Sequence, residues 1–194
     1  MTLDEYEKSE RERYQRLSEA VSSIIAVSLE NAGLKYQQLQ HRAKDVPSLK
    51  QKLKDRGIIE QADICTAVKD LAGCRILFYT NSDVADFLHS QIIWENFEVD
   101  RERTKFHYPL EQGDADQLFI SYNYVVRLKE PRLSLSEYAN FKDMWCEVQV
   151  QTTLDHAWSE MAHGTLYKPK SVPGFGSRQQ KGIRNRMTAL MEKH

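Results

Sequence analysis

The segment from Cys146 to Lys168 constrains the fold of this chain most, because it reads as a strand running straight into a helix. Alternation along the strand sets Glu147, Gln149 and Gln151 on one face and Cys146, Val148 and Val150 on the other. An acid and two amides at alternating positions suit a polar face that looks into a site, where a carboxylate can hold a metal or take a proton. A half-exposed strand with a solvated polar face would alternate in the same way.

The remaining elements fit a mixed α/β domain. Residues 3–40 read as an N-terminal helical segment, with Tyr14, Leu17, Val21, Ile24, Ile25 and Leu29 at helical spacing and a break near Gly33. Pro47 and Ser48 open a short helix that Gly57 closes. A third helix is expected over 60–71, a strand over 73–79, and a helix over about 83–93 after the Thr80–Asp83 cap. Phe97–Asp100 reads as a short strand, 101–116 as a polar loop, and 118–128 as a strong strand. The helix after Thr153 is expected to reach Tyr167, and Pro169, Pro173, Gly174 and Gly176 then lead to an amphipathic helix over 177–193.

With 194 residues the chain suffices for one domain with its own core. A net charge of -1 gives no global basic field, although 169–194 is locally basic through Lys170, Arg178, Lys181, Arg184, Arg186 and Lys193. That segment reads as a helix which continues in a longer parent chain or docks on the domain. Cys65, Cys74 and Cys146 form no CxxC pair, so buried free thiols in a reducing compartment are expected. A charged start and the lack of a long apolar run point to a cytoplasmic protein without signal peptide or membrane span.

Four constellations carry chemistry. Arg42, Lys44, Ser48 and Lys52 place cations and a hydroxyl near a helix start, which suits a polyphosphate or a solvated basic face. Asp70 lies just before a strand and can bind Mg²⁺ through oxygen, Gly73 permits close backbone approach, and Arg75 can neutralise phosphate charge. An ordinary helix-to-strand junction with an Asp–Arg pair would read alike. Phe119, Ser121 and Asn123 share a strand face that can stack on and hydrogen-bond a base; a core aromatic with polar neighbours is the other reading. His156, Glu160 and His163 share a helix face, better suited to hydrogen bonding than to a tetrahedral zinc site.

In this order the pieces resemble the synthetase domain of the RelA/SpoT family. RxKxxxSxxxK matches Arg42, Lys44, Ser48 and Lys52; DLxGxRI matches Asp70–Ile76; and the family's EVQVRT with its Trp-containing helix matches Glu147–Lys168. The resemblance covers roughly 40–170, with the core at 41–168, and includes the small alarmone synthetase and toxin-type members. It implies a nucleotidyltransferase-like fold: a mixed, largely antiparallel sheet flanked by helices. It also implies a pyrophosphokinase that uses ATP and Mg²⁺ on the ribose 3′-hydroxyl of GDP or GTP. Asp70 and Glu147 would hold Mg²⁺ and carry catalysis. Arg42, Lys44, Ser48, Lys52 and Arg75 would grip ATP, and Phe119, Ser121, Asn123, Gln149 and His156 would meet the acceptor.

Three departures fall nearer the acceptor half. Phe119 and Asn123 stand where the family has Tyr and His, Gln151 stands where it has Arg, and 101–116 lacks a family-like lysine motif. The toxin-type likeness brings other expectations: a tRNA 3′ end or an adenosine nucleotide as acceptor, a neutralising antitoxin protein, or a degenerate domain that binds nucleotide without turnover. Oligomerisation is compatible with all of these.

Overall fold

The computed structural model describes residues 1–58, 63–107 and 120–162. Its centre is the parallel pair of β2 (Ala72–Phe78) and β6 (Cys146–Thr152), in register Gly73 to Glu147, Arg75 to Gln149 and Leu77 to Gln151. β1 (Gln38–Ala43) pairs antiparallel with the outer edge of β2, and β5 (Ser121–Leu128) antiparallel with β6. β3 (Phe97–Val99) and β4 (Lys105–His107) lie end to end along the far edge of β5. The sheet order is thus β1-β2-β6-β5-β3, with every pairing but the central one antiparallel. This is the mixed, largely antiparallel sheet that the sequence predicts.

One sheet face is apolar. Ala72, Cys74, Ile76 and Phe78 on β2 and Cys146, Val148 and Val150 on β6 are buried in one cluster with the stripe of the N-terminal helix. That helix begins as α1 (Leu3–Glu5), widens into a π-turn at Tyr6–Glu10 and continues as α2 (Arg11–Asn31). α2 packs on β1 and β2 through Tyr14, Leu17, Val21 and Leu29. It ends in a Schellman motif. Leu34 N–H bonds the Leu29 carbonyl, Gly33 N–H bonds the Glu30 carbonyl, and Gly33 takes φ +67°, which only glycine adopts without strain.

The helix does not run on to residue 40 as expected. Gln38–Ala43 is a strand, because the outer edge of β2 offers its polar sequence a full backbone ladder. Arg42 is therefore fixed on a strand. α3 (Val46–Asp55) starts as expected, capped by Asp45, with Pro47 in the first turn and Gly57 closing it at φ +64°. The third helix ends earlier than expected: among the described residues of that stretch Ile64–Ala67 (α4) is helical, and Val68–Asp70 leaves it to enter β2. The helix after Thr80 is split at Gln91 (φ 58°) into α5 (Asn81–His89) and α6 (Ile92–Asn96). The supposed loop at 101–116 contributes β4; its residues from 108 on lie outside the described set. A short α7 (Glu130–Leu133) and a turn at Ala139–Phe141 link β5 to β6, and α8 (Thr153–Ala162) follows β6 directly.

Cys74 and Cys146 are buried free thiols, and Cys65 is half-buried. Among the described residues no helix is long and apolar enough to cross a membrane.

The β6–α8 junction is held by Asp155, which is 3 % exposed. Its carboxylate accepts the Thr152 hydroxyl at 2.5 Å and the Ile120 N–H at 2.9 Å, so the start of β5 hangs on the start of α8. Asp155→Ala would strand both donors in a dry site. Chemical denaturation should show a loss of about 2 kcal/mol, and Asp155→Asn should recover part of it.

Candidate active site

The opposite face of the sheet carries the polar residues. Directly opposed residues share a face, so the register aligns Arg42 and Gln40 of β1, Gly73 and Arg75 of β2, Glu147 and Gln149 of β6, and Asn123 of β5. They border a cleft of about 290 Å³ lined by Gln40, Arg42, Asp70, Arg75, Glu147 and Gln149. The structure thus brings Asp70 and Glu147 to one cleft although they come from separate parts of the chain. Gly73 leaves open the floor between them: a Cβ there would meet nothing nearer than the Arg42 carbonyl, at 3.9 Å.

Each carboxylate already faces cations. Asp70 Oδ2 accepts Lys44 Nζ at 2.8 Å, and its Oδ1 accepts Lys52 Nζ at 2.7 Å. Burial opposes ionisation of Asp70, but attraction and hydrogen bonds from the two ammonium groups prevail and pull its pKa down to about 2. α3 and β1 therefore deliver two of the predicted cations to a single acid. Ser48 stays exposed at the first turn of α3, where its N–H bonds the Asp45 carboxylate, and it does not line the cleft.

Glu147, 8 % exposed, is held from two sides. Its Oε1 lies 3.3 Å from Lys69 Nζ, and its Oε2 accepts Gln149 Nε2 at 2.9 Å. Lys69 in turn donates to the Arg103 carbonyl at 3.1 Å. Arg103 stacks over Trp145, which precedes β6, at 4.5 Å from the ring centroid, and Arg127 approaches the same ring at 5.0 Å. Sequence reasoning passed over Lys69 and Trp145. Lys69 stood next to Asp70 in plain view, but its link to Glu147 depends on the turn at 100–104, which carries no motif.

Gln149 and His156 both meet Arg75. Its Nε donates to Gln149 Oε1 at 3.0 Å, its Nη1 lies 3.2 Å from His156 Nδ1, and Glu160 stands 3.7 Å away. Burial, then the positive charge of Arg75, pushes the His156 pKa down, which favours the neutral ring that can accept from a guanidinium. The predicted acceptor residues Gln149 and His156 therefore hold a residue predicted to grip ATP.

Ser121 is 1 % exposed and donates to Asn123 Oδ1 at 2.6 Å. Lys105 of β4 stands opposite Asn123, so a segment without a family-like lysine motif still places one lysine on the site face. Phe119, His163 and the basic segment 169–194 lie outside the described residues. Gln151 is buried at the end of this face with its Oε1 unpartnered.

Among known structures the fold is similar to that of small alarmone synthetase 1 from Bacillus subtilis, with TM-score 0.72 and 19 % identity over 98 % of this chain and 92 % of that one. The same relative bound to its product pppGpp aligns with TM-score 0.66 and 19 % identity, covering 93 % and 88 % of the two chains. Bound to AMPCPP it aligns with TM-score 0.66 and 18 % identity, covering 98 % and 91 %. No curated protein matches the chain by sequence. Residues 41–172 match the family described as the region found in RelA / SpoT proteins, a span that contains every strand but the first residues of β1 and both acids of the cleft. The chain belongs to the RelA/SpoT family.

Proposed function

We propose that the chain is a pyrophosphokinase that transfers the β,γ-pyrophosphate of ATP to the ribose 3′-hydroxyl of a nucleotide, with GDP or GTP the favoured acceptor. One observation carries the reading: Asp70 and Glu147 line one cleft whose walls supply Arg42 and Arg75, with Lys44, Lys52 and Lys69 on the carboxylates themselves. Membership of the family supports it, as do the pppGpp and AMPCPP named with the Bacillus subtilis relative.

In the proposed reaction Lys44 and Lys52 leave Asp70 to meet the phosphates of arriving ATP. Arg42 and Arg75 close on the nucleotide, and Ser48, exposed at the start of α3 outside the cleft lining, adds a hydroxyl only to phosphate that extends past the cleft. Gln149 and His156 act by keeping the Arg75 fork in place. Asn123 meets the acceptor, with Ser121 holding its side chain through the Oδ1 hydrogen bond, and Phe119 is assigned to the acceptor by the family resemblance. Glu147 takes the proton of the 3′-hydroxyl as the oxygen attacks the β-phosphorus; the bond from that phosphorus to the α-phosphate oxygen breaks, and AMP leaves.

The donor set fits Mg²⁺. Two carboxylates are hard oxygen ligands, and they reach one cleft, Asp70 from the turn just ahead of β2 and Glu147 from β6. Among the described residues no three His, Cys, Asp or Glu side chains gather around one point, so phosphate oxygens and water would complete the shell. Asp70 and Glu147 would hold the ion, which supplies charge neutralisation at the transferred phosphates.

The test is incubation with ATP, Mg²⁺ and one acceptor at a time: GDP, GTP, an adenosine nucleotide or tRNA. AMP release dependent on GDP or GTP is expected. Release only with tRNA or adenosine nucleotide would keep the chemistry and change the acceptor. No AMP with any acceptor, alongside ATP binding by calorimetry, would leave a nucleotide-binding domain without turnover.

A further inference from the structure

The family-matching region begins at residue 41, yet the site is braced from outside it. Tyr6 is 0 % exposed and sits at the start of the π-turn in the N-terminal helix. In that turn Arg11 N–H bonds the Tyr6 carbonyl, five residues back. Such wide turns concentrate at functional places because they cost regular hydrogen bonding and so persist only for a gain elsewhere. Eight regular helical steps would carry Tyr14 about 80° around the axis from Tyr6; absorbing one extra residue cuts this to about 20°. The turn thus returns Tyr6 to the buried stripe, with its ring 5.8 Å from that of Tyr14.

What the Tyr6 hydroxyl meets there is the backbone beneath the Asp70 cluster. It donates to the Lys44 carbonyl at 2.7 Å and lies 3.4 Å from the Leu71 carbonyl. Lys44 N–H bonds that same Leu71 carbonyl at 2.9 Å. Lys44 and Leu71 flank the ion pair: Lys44 supplies the ammonium on Asp70, and Leu71 follows Asp70 in the chain. One residue back, Ala43 N–H bonds Gln15 Oε1 at 2.7 Å, so α2 also pins the end of β1 that carries Arg42. Packing alone would be met by a phenylalanine at position 6; the hydroxyl is spent on the backbone of two site-bearing segments.

We propose that Tyr6 is a positioning residue for the nucleotide cleft, its hydroxyl locking the Lys44 and Leu71 backbone so that the Lys44 side chain starts from a fixed place beside Asp70 and reaches the phosphates of arriving ATP. The inference rests on the ATP reading of that cleft. In the test the full chain is compared with Tyr6→Phe, and with Tyr14→Phe as a control that removes another buried hydroxyl, 3.6 Å from Cys65 Sγ, on the same helix. Calorimetry with AMPCPP and Mg²⁺, amide exchange at Lys44, and KM for ATP and for the acceptor are read on the same samples.

Tyr6→Phe should weaken AMPCPP binding about five-fold and speed exchange at Lys44 by a similar factor, the scale of one buried hydrogen bond. KM for the acceptor should not move, and Tyr14→Phe should leave AMPCPP binding unchanged. A lower melting temperature with unchanged AMPCPP affinity would mean a merely structural hydroxyl and overturn the proposal. So would equal losses in both variants, or unchanged exchange at Lys44. If the wild type binds AMPCPP but transfers nothing, the pyrophosphokinase reading fails while the binding comparison still decides the role of Tyr6. If it binds no nucleotide, both fail.

Discussion

Glu147→Gln is expected to lower turnover by about 10²–10⁴-fold while leaving the fold and nucleotide binding in place. The amide is isosteric, and its oxygen can still accept from Lys69 or from Gln149, the two groups that hold Glu147. It cannot take the 3′-hydroxyl proton. The effect should therefore fall on kcat, with KM for ATP close to the wild-type value. Steady-state AMP release, read beside calorimetry with AMPCPP, separates the two. A Glu147→Gln protein that retained a tenth or more of wild-type turnover would remove Glu147 from the chemistry.

The second large effect is expected at Asp70. Asp70→Ala leaves Lys44 and Lys52 facing each other without a counter-charge, their side chains only 11 % and 25 % exposed. Removing one member of a buried pair is costly, and partial access of water at this site trims the loss to about 2 kcal/mol. Activity should fall at least about a hundredfold, because the acid and the order of the two lysines go together. The stability effect has a pH signature. The folded pKa of about 2 lies below the usual 3.8, so the Asp70 contribution is present above about pH 4 and is lost as pH falls towards 2. Wild-type unfolding free energy should decline through that window more steeply than that of Asp70→Asn. Parallel declines would mean that the lysines do not hold Asp70 in solution.

The strand–helix segment at 146–162 was legible because both of its periods are strong. Val148 and Val150 fill the apolar face, Glu147 and Gln149 fill the polar one, and Thr152 marks the change of period. β1 was not legible. Gln38, Gln40 and Arg42 alternate with Leu39, His41 and Ala43, a weak pattern for a strand that owes its existence to the free edge of β2. β4 escaped notice for the same reason: Lys105–His107 is too short to carry a period and is fixed only by pairing with β5.

At the site, residue types within one motif were readable and contacts between motifs were not. The sequence sets Lys44 and Lys52 on one side and Asp70 on another, but only the fold joins them. It also hid that Gln149 and His156 converge on Arg75, because that contact needs β2 and β6 to be parallel neighbours with α8 laid over their polar face.

The most direct test follows both phosphates of ATP. With ATP labelled at the β- and γ-phosphates, Mg²⁺ and GDP or GTP, the account predicts that both labels move together to the acceptor 3′-oxygen. Unlabelled AMP should form in equal amount, and mass spectrometry should find the acceptor heavier by one pyrophosphate. Transfer of the γ-label alone with ADP left behind, or no transfer by a folded protein that binds ATP, would contradict it.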